Sequence, residues 1–348
     1  MVDTTHEKTL FVKIQNLNFM KDNEYSNAMV DGYTLFGFQL NPQLGLQISK
    51  NLSIEGGIFL NKDFGNKNFT EISPTFSLRY FKKDFKMIFG NLDGSLNHGL
   101  IEPLYNFERV MSNRLENGAQ FILNKKYFDV DVWIDWLNMI YKTSNSKEKL
   151  MSGINATVLK LENDKWLFKL PFQGTVIHQG GQLDTTDRSS STDFNYAVGI
   201  VLNRKLNHTY VKNIYLDTRY VLRSHNYFNT PVSFHSWGDG FLGNIGIKGA
   251  YKTDVMLSFW YGDSYYNELG GDLYSSKSRT VAYSWYWTER IRELLILRLT
   301  KTIPLTEGVN FMLRVEPYYD IRDKQLESAF GFYISIDERV WLKKKLDL

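Results

Sequence analysis

The chain contains no cysteine, which excludes disulfides, thiolate metal sites and thiol nucleophiles. No stretch reaches the roughly eighteen consecutive apolar residues that a spanning helix needs, and mean hydropathy is −0.33. A transmembrane helix is therefore excluded, but a transmembrane barrel is not, because a barrel strand turns only half its residues to lipid. The formal net charge of +3 is small for this length, and no basic cluster is interleaved with stacking aromatics, so nucleic acid is not an expected partner. The first residues, MVDTTHEKTL, lack a charged region followed by an apolar one. An outer-membrane protein needs such a signal, so the sequence is expected to begin after a removed signal peptide.

What the chain does have is alternation. In Asp31–Lys62, one line reads Phe36, Phe38, Leu40, Pro42, Leu44, Leu46, Ile48 and, after the turn Ser49-Lys50-Asn51, Leu52, Ile54, Gly56, Ile58, Leu60. The other line reads Gln39, Asn41, Gln43, Gly45, Gln47, then Ser53, Glu55, Gly57. Period-2 alternation means strands with one apolar and one polar face. An amide-rich polar face opposite a long apolar line suits lipid outside and water inside. The same alternation recurs at Thr9–Phe19, Phe69–Phe81, Phe85–Asn91, Leu115–Asn124 and Phe128–Leu137, then at Leu150–Leu161, Trp166–Ile177, Phe194–Asn203 and Val211–Arg223. It continues through Phe241–Tyr251, Asp254–Tyr261, Thr280–Lys301, Val309–Asp320 and Leu326–Asp337. Proline is sparse at 7, while 24 Phe, 21 Tyr and 8 Trp would supply the girdles of a barrel.

The pattern predicts an all-β, transmembrane antiparallel β-barrel of about sixteen strands, one domain over residues 1–348. Short and long connections alternate, and with the long loops outside both termini are expected in the periplasm. The expected location is the bacterial outer membrane, with the bilayer and its lipopolysaccharide leaflet as partners.

The third long loop, Leu92–Asn113, carries Leu96, Leu100, Ile101, Leu104, Phe107, Val110 and Met111. A long loop with its own apolar anchors packs against something; an inward-folded constriction is expected, with Glu102, Glu108 and Arg109 near the eyelet. Alternation on Phe128–Leu137 points Asp129, Asp131, Trp133 and Asp135 inward as an acidic wall. Later strands supply Arg219, Arg223, Arg290, Arg292, Arg298 and Arg314 as a basic wall. Opposed walls would set a transverse field across a lumen, or pair locally and stiffen the barrel.

The runs NHGLIEPLYNFERVMSNRLENGAQFILNKKYFDVDVWIDWLNMIYK and RLTKTIPLTEGVNFMLRVEPYYDIRDKQLESAFGFYISIDERVWL resemble the β-barrel porins of Bacteroidetes outer membranes, similar in architecture to general diffusion porins. The resemblance implies passive passage of small hydrophilic solutes, with Leu92–Asn113 as the constricting loop and Asp129, Asp131, Trp133 and Asp135 on the lumenal strand. A homotrimer is the usual assembly of such porins. The chain departs from their pattern in ending on Trp341-Leu342-Lys343-Lys344-Lys345-Leu346-Asp347-Leu348 rather than on a terminal aromatic, and in lacking a lysine ladder.

Catalysis finds little support. A barrel lipase would need Ser and His close together on the outer face, but His178 ends a strand and His208 lies at a turn without a Ser-bearing motif. His98, His225 and His235 read as loop residues, and HExxH, P-loop and GxSxG patterns are absent. The expectation is a porin that is not an enzyme and uses no metal or cofactor. The alternative is a plugged barrel serving as a non-catalytic scaffold or subunit of an outer-membrane complex.

Overall fold

A computed structural model describes residues 7–94, 98–181, 189–228, 235–278 and 288–345. Among them sixteen strands close into one antiparallel barrel, each bonded to its sequence neighbours and β1 to β16. The strands are β1 (Thr9–Ser26), β2 (Asp31–Ser49), β3 (Leu52–Asp63), β4 (Glu71–Lys82), β5 (Phe85–Asn91), β6 (Asn117–Asn124), β7 (Asp129–Asn138) and β8 (Lys149–Glu162). They continue as β9 (Trp166–Gln179), β10 (Ser190–Lys205), β11 (Val211–Phe228), β12 (His235–Gly249), β13 (Thr253–Asp263), β14 (Ile291–Thr306), β15 (Val309–Asp320) and β16 (Gln325–Lys345). An α-helical turn, α1 (Arg109–Ser112), lies in the loop between β5 and β6. No described helix is long and apolar enough to cross a membrane.

Closure leaves no unpaired sheet edge, so each wall strand finds its backbone partners within the barrel. The alternation has the expected sense. Outward Phe36, Leu44, Ile72, Phe76, Ile245 and Leu257 are exposed, while inward Gln39, Gln43, Ser53 and Gln47 are buried. Exposed aromatics ring both ends: Phe64, Trp136, Trp237 and Tyr319 on one side, Tyr127, Trp166, Tyr210 and Tyr251 on the other. Rings of this kind sit at the two lipid–water interfaces.

Several strands run past their expected limits. β1 continues from Phe19 to Ser26, where Asp22, Asn23 and Glu24 make both faces polar and hide the period. β14 ends at Thr306, so residues 302–306 belong to the wall and only Glu307 and Gly308 turn. Gly308 takes φ 68° there, a conformation that costs glycine little.

The interior is not empty. Val110 and Met111 of α1 are buried against inward Leu17, Phe19 and Tyr333. Tyr105 packs on Trp133, Met151 and Ile177. Leu104 lies among Trp260, Leu294, Ile296 and Tyr318 of the wall, together with Tyr265 and Tyr274 of the β13–β14 loop. Residues 95–97, including the expected anchor Leu96, lie outside the described set.

Candidate functional site

An irregular segment inside a barrel must find partners for its own N–H and C=O groups, and the amide-rich inner face supplies them. Gln173 accepts from Ile101 N at 2.9 Å and donates to Gly99 O at 3.0 Å, while Gln39 donates to Met111 O at 2.7 Å. The β13–β14 loop closes from the other side. Gly271 N donates to Glu102 O at 2.8 Å, Asn106 N to Leu269 O at 2.7 Å, and the Tyr265 hydroxyl to Pro103 O at 2.9 Å. Gly270 is required here, since a Cβ would stand 2.1 Å from Pro103 O. The two loops form one plug across the middle of the lumen.

Two acid-centred clasps and one histidine bridge tie the first plug loop to its surroundings. Glu102 Oε1 lies 2.7 Å from Arg298 Nη2 and 2.5 Å from Arg314 Nη2, and Glu316 bonds both guanidiniums at 2.5 Å. Arg298 and Arg314, with Glu102 and Glu316, thus form a balanced group of two cations and two anions. Glu108 takes Lys21, the Tyr33 hydroxyl and, at 2.9 Å, Asn23 Nδ2. His98 bridges Asp131 from Nδ1 and Glu116 from Nε2, both at 2.8 Å. Burial pushes the His98 pKa down, but the two carboxylates outweigh it and raise it above the ordinary value.

The remaining residues singled out in the sequence are placed as follows. Arg109 lies over the Tyr105 ring at 4.9 Å. Asp129 pairs with Lys160 at 3.3 Å, and Asp135 accepts from Asn117 N at 2.7 Å. Arg219 pairs with Asp217 at 3.0 Å, and Arg290, at the rim, with Asp263 at 3.0 Å. Arg292 Nη1 lies 2.6 Å from Glu289 and 2.7 Å from Asp320. Glu289, Asp320 and Asp323 bring one oxygen each within 4.8 Å of one another, but the Arg292 guanidinium already supplies their cation. Acidic β7 and the basic strands thus meet local or plug partners rather than each other across open water.

Above the plug, at the long-loop end, a cavity of about 1030 Å³ is lined by Asp193, Arg223, His225, Ser236, Lys149 and Lys277, among others. Three of these form a row across adjacent strands. His225 on β11 stands opposite Asp193 on β10 and Ser236 on β12. His225 Nδ1 is 3.3 Å from Asp193 Oδ2 as an ion-pair contact, and neither ring nitrogen has a hydrogen-bond partner among the described residues. Arg223 Nε donates to Asp193 at 3.2 Å and its Nη1 to Ser236 Oγ at 3.3 Å. A hydroxyl, an imidazole and a neighbouring carboxylate are the residue types of a nucleophilic triad, here set side by side with no hydrogen bond yet joining His225 to Ser236 or Asp193. The sequence reading missed this row because it placed His225 in a loop, whereas β11 runs on to Phe228.

The fold has solved counterparts. A loop-deletion mutant of OmpT, an outer membrane protein of Vibrio cholerae, aligns with TM-score 0.55 at 11% identity, over 95% of this chain and 99% of that one. The trimer form of Vibrio cholerae OmpT gives 0.52 at 7%, over 95% and 100%. An anion-selective porin from Comamonas acidovorans gives 0.51 at 8%, over 95% and 99%. At these identities the likeness concerns the fold: a large β-barrel of the bacterial outer-membrane kind. No curated protein sequence matches the chain. A family model described as lipid A 3'-O-deacylase-type matches residues 2–345. That match overturns the expectation of a non-enzymatic barrel, because the family is named for an enzyme, and it supplies a family other than the Bacteroidetes porins that two segments resemble. With nearly its whole length under that one model, the chain belongs to the lipid A 3'-O-deacylase-type family.

Proposed function

We propose that the protein is an outer-membrane O-deacylase, cleaving an acyl ester of an anionic glycolipid of the lipid A class in the cavity above the plug. The observation that carries this reading is the Asp193–His225–Ser236 row, set in register on three neighbouring strands and facing a cavity of about 1030 Å³. Ser236 Oγ attacks the ester carbonyl while His225 Nε2 takes its proton. The proton then passes to the departing sugar oxygen, leaving an acyl-serine. Water, deprotonated by the same nitrogen, releases the fatty acid and restores Ser236. Closing of the 3.3 Å contact to a hydrogen bond lets Asp193 orient the ring through Nδ1, while Arg223 fixes Asp193 and sits beside the developing negative charge. Lys149 and Lys277 on the cavity wall suit a substrate that carries phosphate.

In this reading the long-loop end faces the lipopolysaccharide leaflet and both termini lie in the periplasm. The plug supports the cavity from below and keeps it separate from the periplasmic side. The test is mass spectrometry of lipid A incubated with the full chain in detergent micelles. Loss of one acyl chain by the wild type, and not by Ser236→Ala or His225→Ala, is the expected result. Intact lipid A with the wild type, or undiminished cleavage by both variants, ends the proposal.

A second reading, passage of small hydrophilic solutes, draws on the polar cavities at the two ends of the lumen, about 1030 Å³ and 570 Å³. It requires the plug to move aside. Planar-bilayer recording tests it: steady conductance supports a channel, and electrically silent insertions refute it.

A further inference from the structure

The second of those cavities, at the short-turn end, has no part in the chemistry above. It is a cup of about 570 Å³ whose lining includes Lys212, Lys248, Lys252, Arg298 and Arg314, with Asp254 as the one carboxylate among the described lining residues. Its floor is the underside of the plug clasp. Arg298 and Arg314 stand there at the edge of the lumen centre, their charges balanced by Glu102 and Glu316. The rim is not balanced. Asp254 already accepts from the Tyr215 hydroxyl at 3.0 Å, and three ammonium groups face that single acid.

The rim cations also differ in how they are held. Lys248 Nζ lies 5.5 Å from the centre of the Tyr215 ring, a contact that steadies an ammonium without neutralising it. Lys212 Nζ donates to His208 O at 3.1 Å, which leaves its other protons for a ligand. Lys252 stands on the β12–β13 turn and carries the rim outward. Unbalanced cations on a concave, low-dielectric wall concentrate field lines and attract anions far more strongly than the same charges spread over a convex surface. The volume lies within the range of small-ligand sites, roughly 300–1,000 Å³.

We infer that this cup is a binding site for a small anion with at least two negative charges, a phosphate-bearing or polycarboxylate molecule entering from the short-turn side. Two separated ammonium groups, Lys248 and Lys252, reward a ligand whose charges are also separated. A monoanion reaches only one of them at a time.

Isothermal titration of the full chain in non-ionic detergent at low salt tests this with pyrophosphate and with citrate, and with acetate as the monovalent control. Saturable binding of pyrophosphate, citrate or both is expected, at least tenfold tighter than acetate, and the one that binds assigns the ligand class. Lys248→Ala/Lys252→Ala is expected to weaken binding at least tenfold, while Lys125→Ala, an exposed lysine paired with Asp84 and outside the cup, leaves it unchanged. Heat-modifiable electrophoretic migration checks that each variant is folded. The proposal is overturned if neither polyanion saturates, if acetate binds equally well, if the double variant binds like the wild type, or if Lys125→Ala abolishes the signal.

Discussion

His98 lies flat on Trp133, with ring centroids 3.5 Å apart and planes 9° from parallel. The indole lies down because its cross-strand partner on β8 is Gly153, where a Cβ would come within 2.1 Å of the indole Cζ2. Gly153→Ala must therefore push Trp133 off the wall and tilt the platform under His98. Overpacking of this kind costs about 1–3 kcal/mol. A lower denaturation midpoint and faster proteolysis of the plug loop are expected. A variant that matches the wild type in both would show that the platform does not hold the plug.

His98 itself separates two acids, Glu116 and Asp131, both largely buried. Removing the imidazole leaves these carboxylates facing each other, and an uncompensated buried charge costs about 3–5 kcal/mol. Because the carboxylates raise the His98 pKa above its ordinary 6.5, the folded protein holds this proton more tightly than the unfolded chain. That contribution is complete below pH 6.5 and is lost as pH rises through the elevated value. Amide exchange across residues 98–113, measured over increasing pH, is expected to accelerate beyond its intrinsic rise in the wild type. In His98→Gln that excess should be absent; an identical profile in the two proteins would refute the clasp.

The wall was legible in the sequence because its signal is local: two residues of chain reveal which face each belongs to. Hence Leu44 and Gln43 could be assigned to opposite sides without any structure. The plug and the candidate site depend on non-local contacts. Nothing near Glu102 announces Arg298 and Arg314, some two hundred residues away, and their attraction outweighs a role on a separate basic wall. Similarly, Asp193, His225 and Ser236 each read as ordinary inward or loop residues. They become a row only through the register of β10, β11 and β12, which depends on loop lengths that periodicity does not encode. The extended ends of β1 and β11 were missed because polar residues occupy both faces near the rim, where water replaces lipid.

The assignment of faces can be tested at Leu257, midway along β13 and exposed on the outer wall. Arginine at the midplane of a barrel's lipid face costs about 2–4 kcal/mol. Leu257→Arg is expected to fold less stably into liposomes by that amount, while remaining unchanged in spectroscopic signature once folded. Equal stability of the variant and the wild type would mean that hydrocarbon does not surround this position.

The catalytic row makes a stricter demand than loss of activity, since a side chain that merely shapes the cavity would also reduce turnover. In the proposed mechanism Ser236 and His225 act in one proton transfer, so either change alone already removes the activated nucleophile. Ser236→Ala and His225→Ala should each lower the deacylation rate constant by about a thousandfold or more, and the double variant should be no slower than the slower single one. Asp193→Asn keeps the shape but weakens the orientation and charge stabilisation of His225. It should lower the rate less, and the remaining activity should still require Ser236. Multiplicative losses in the double variant would indicate two independent contributions to substrate binding, and the cavity would then be a lipid-binding cleft whose nucleophile lies elsewhere.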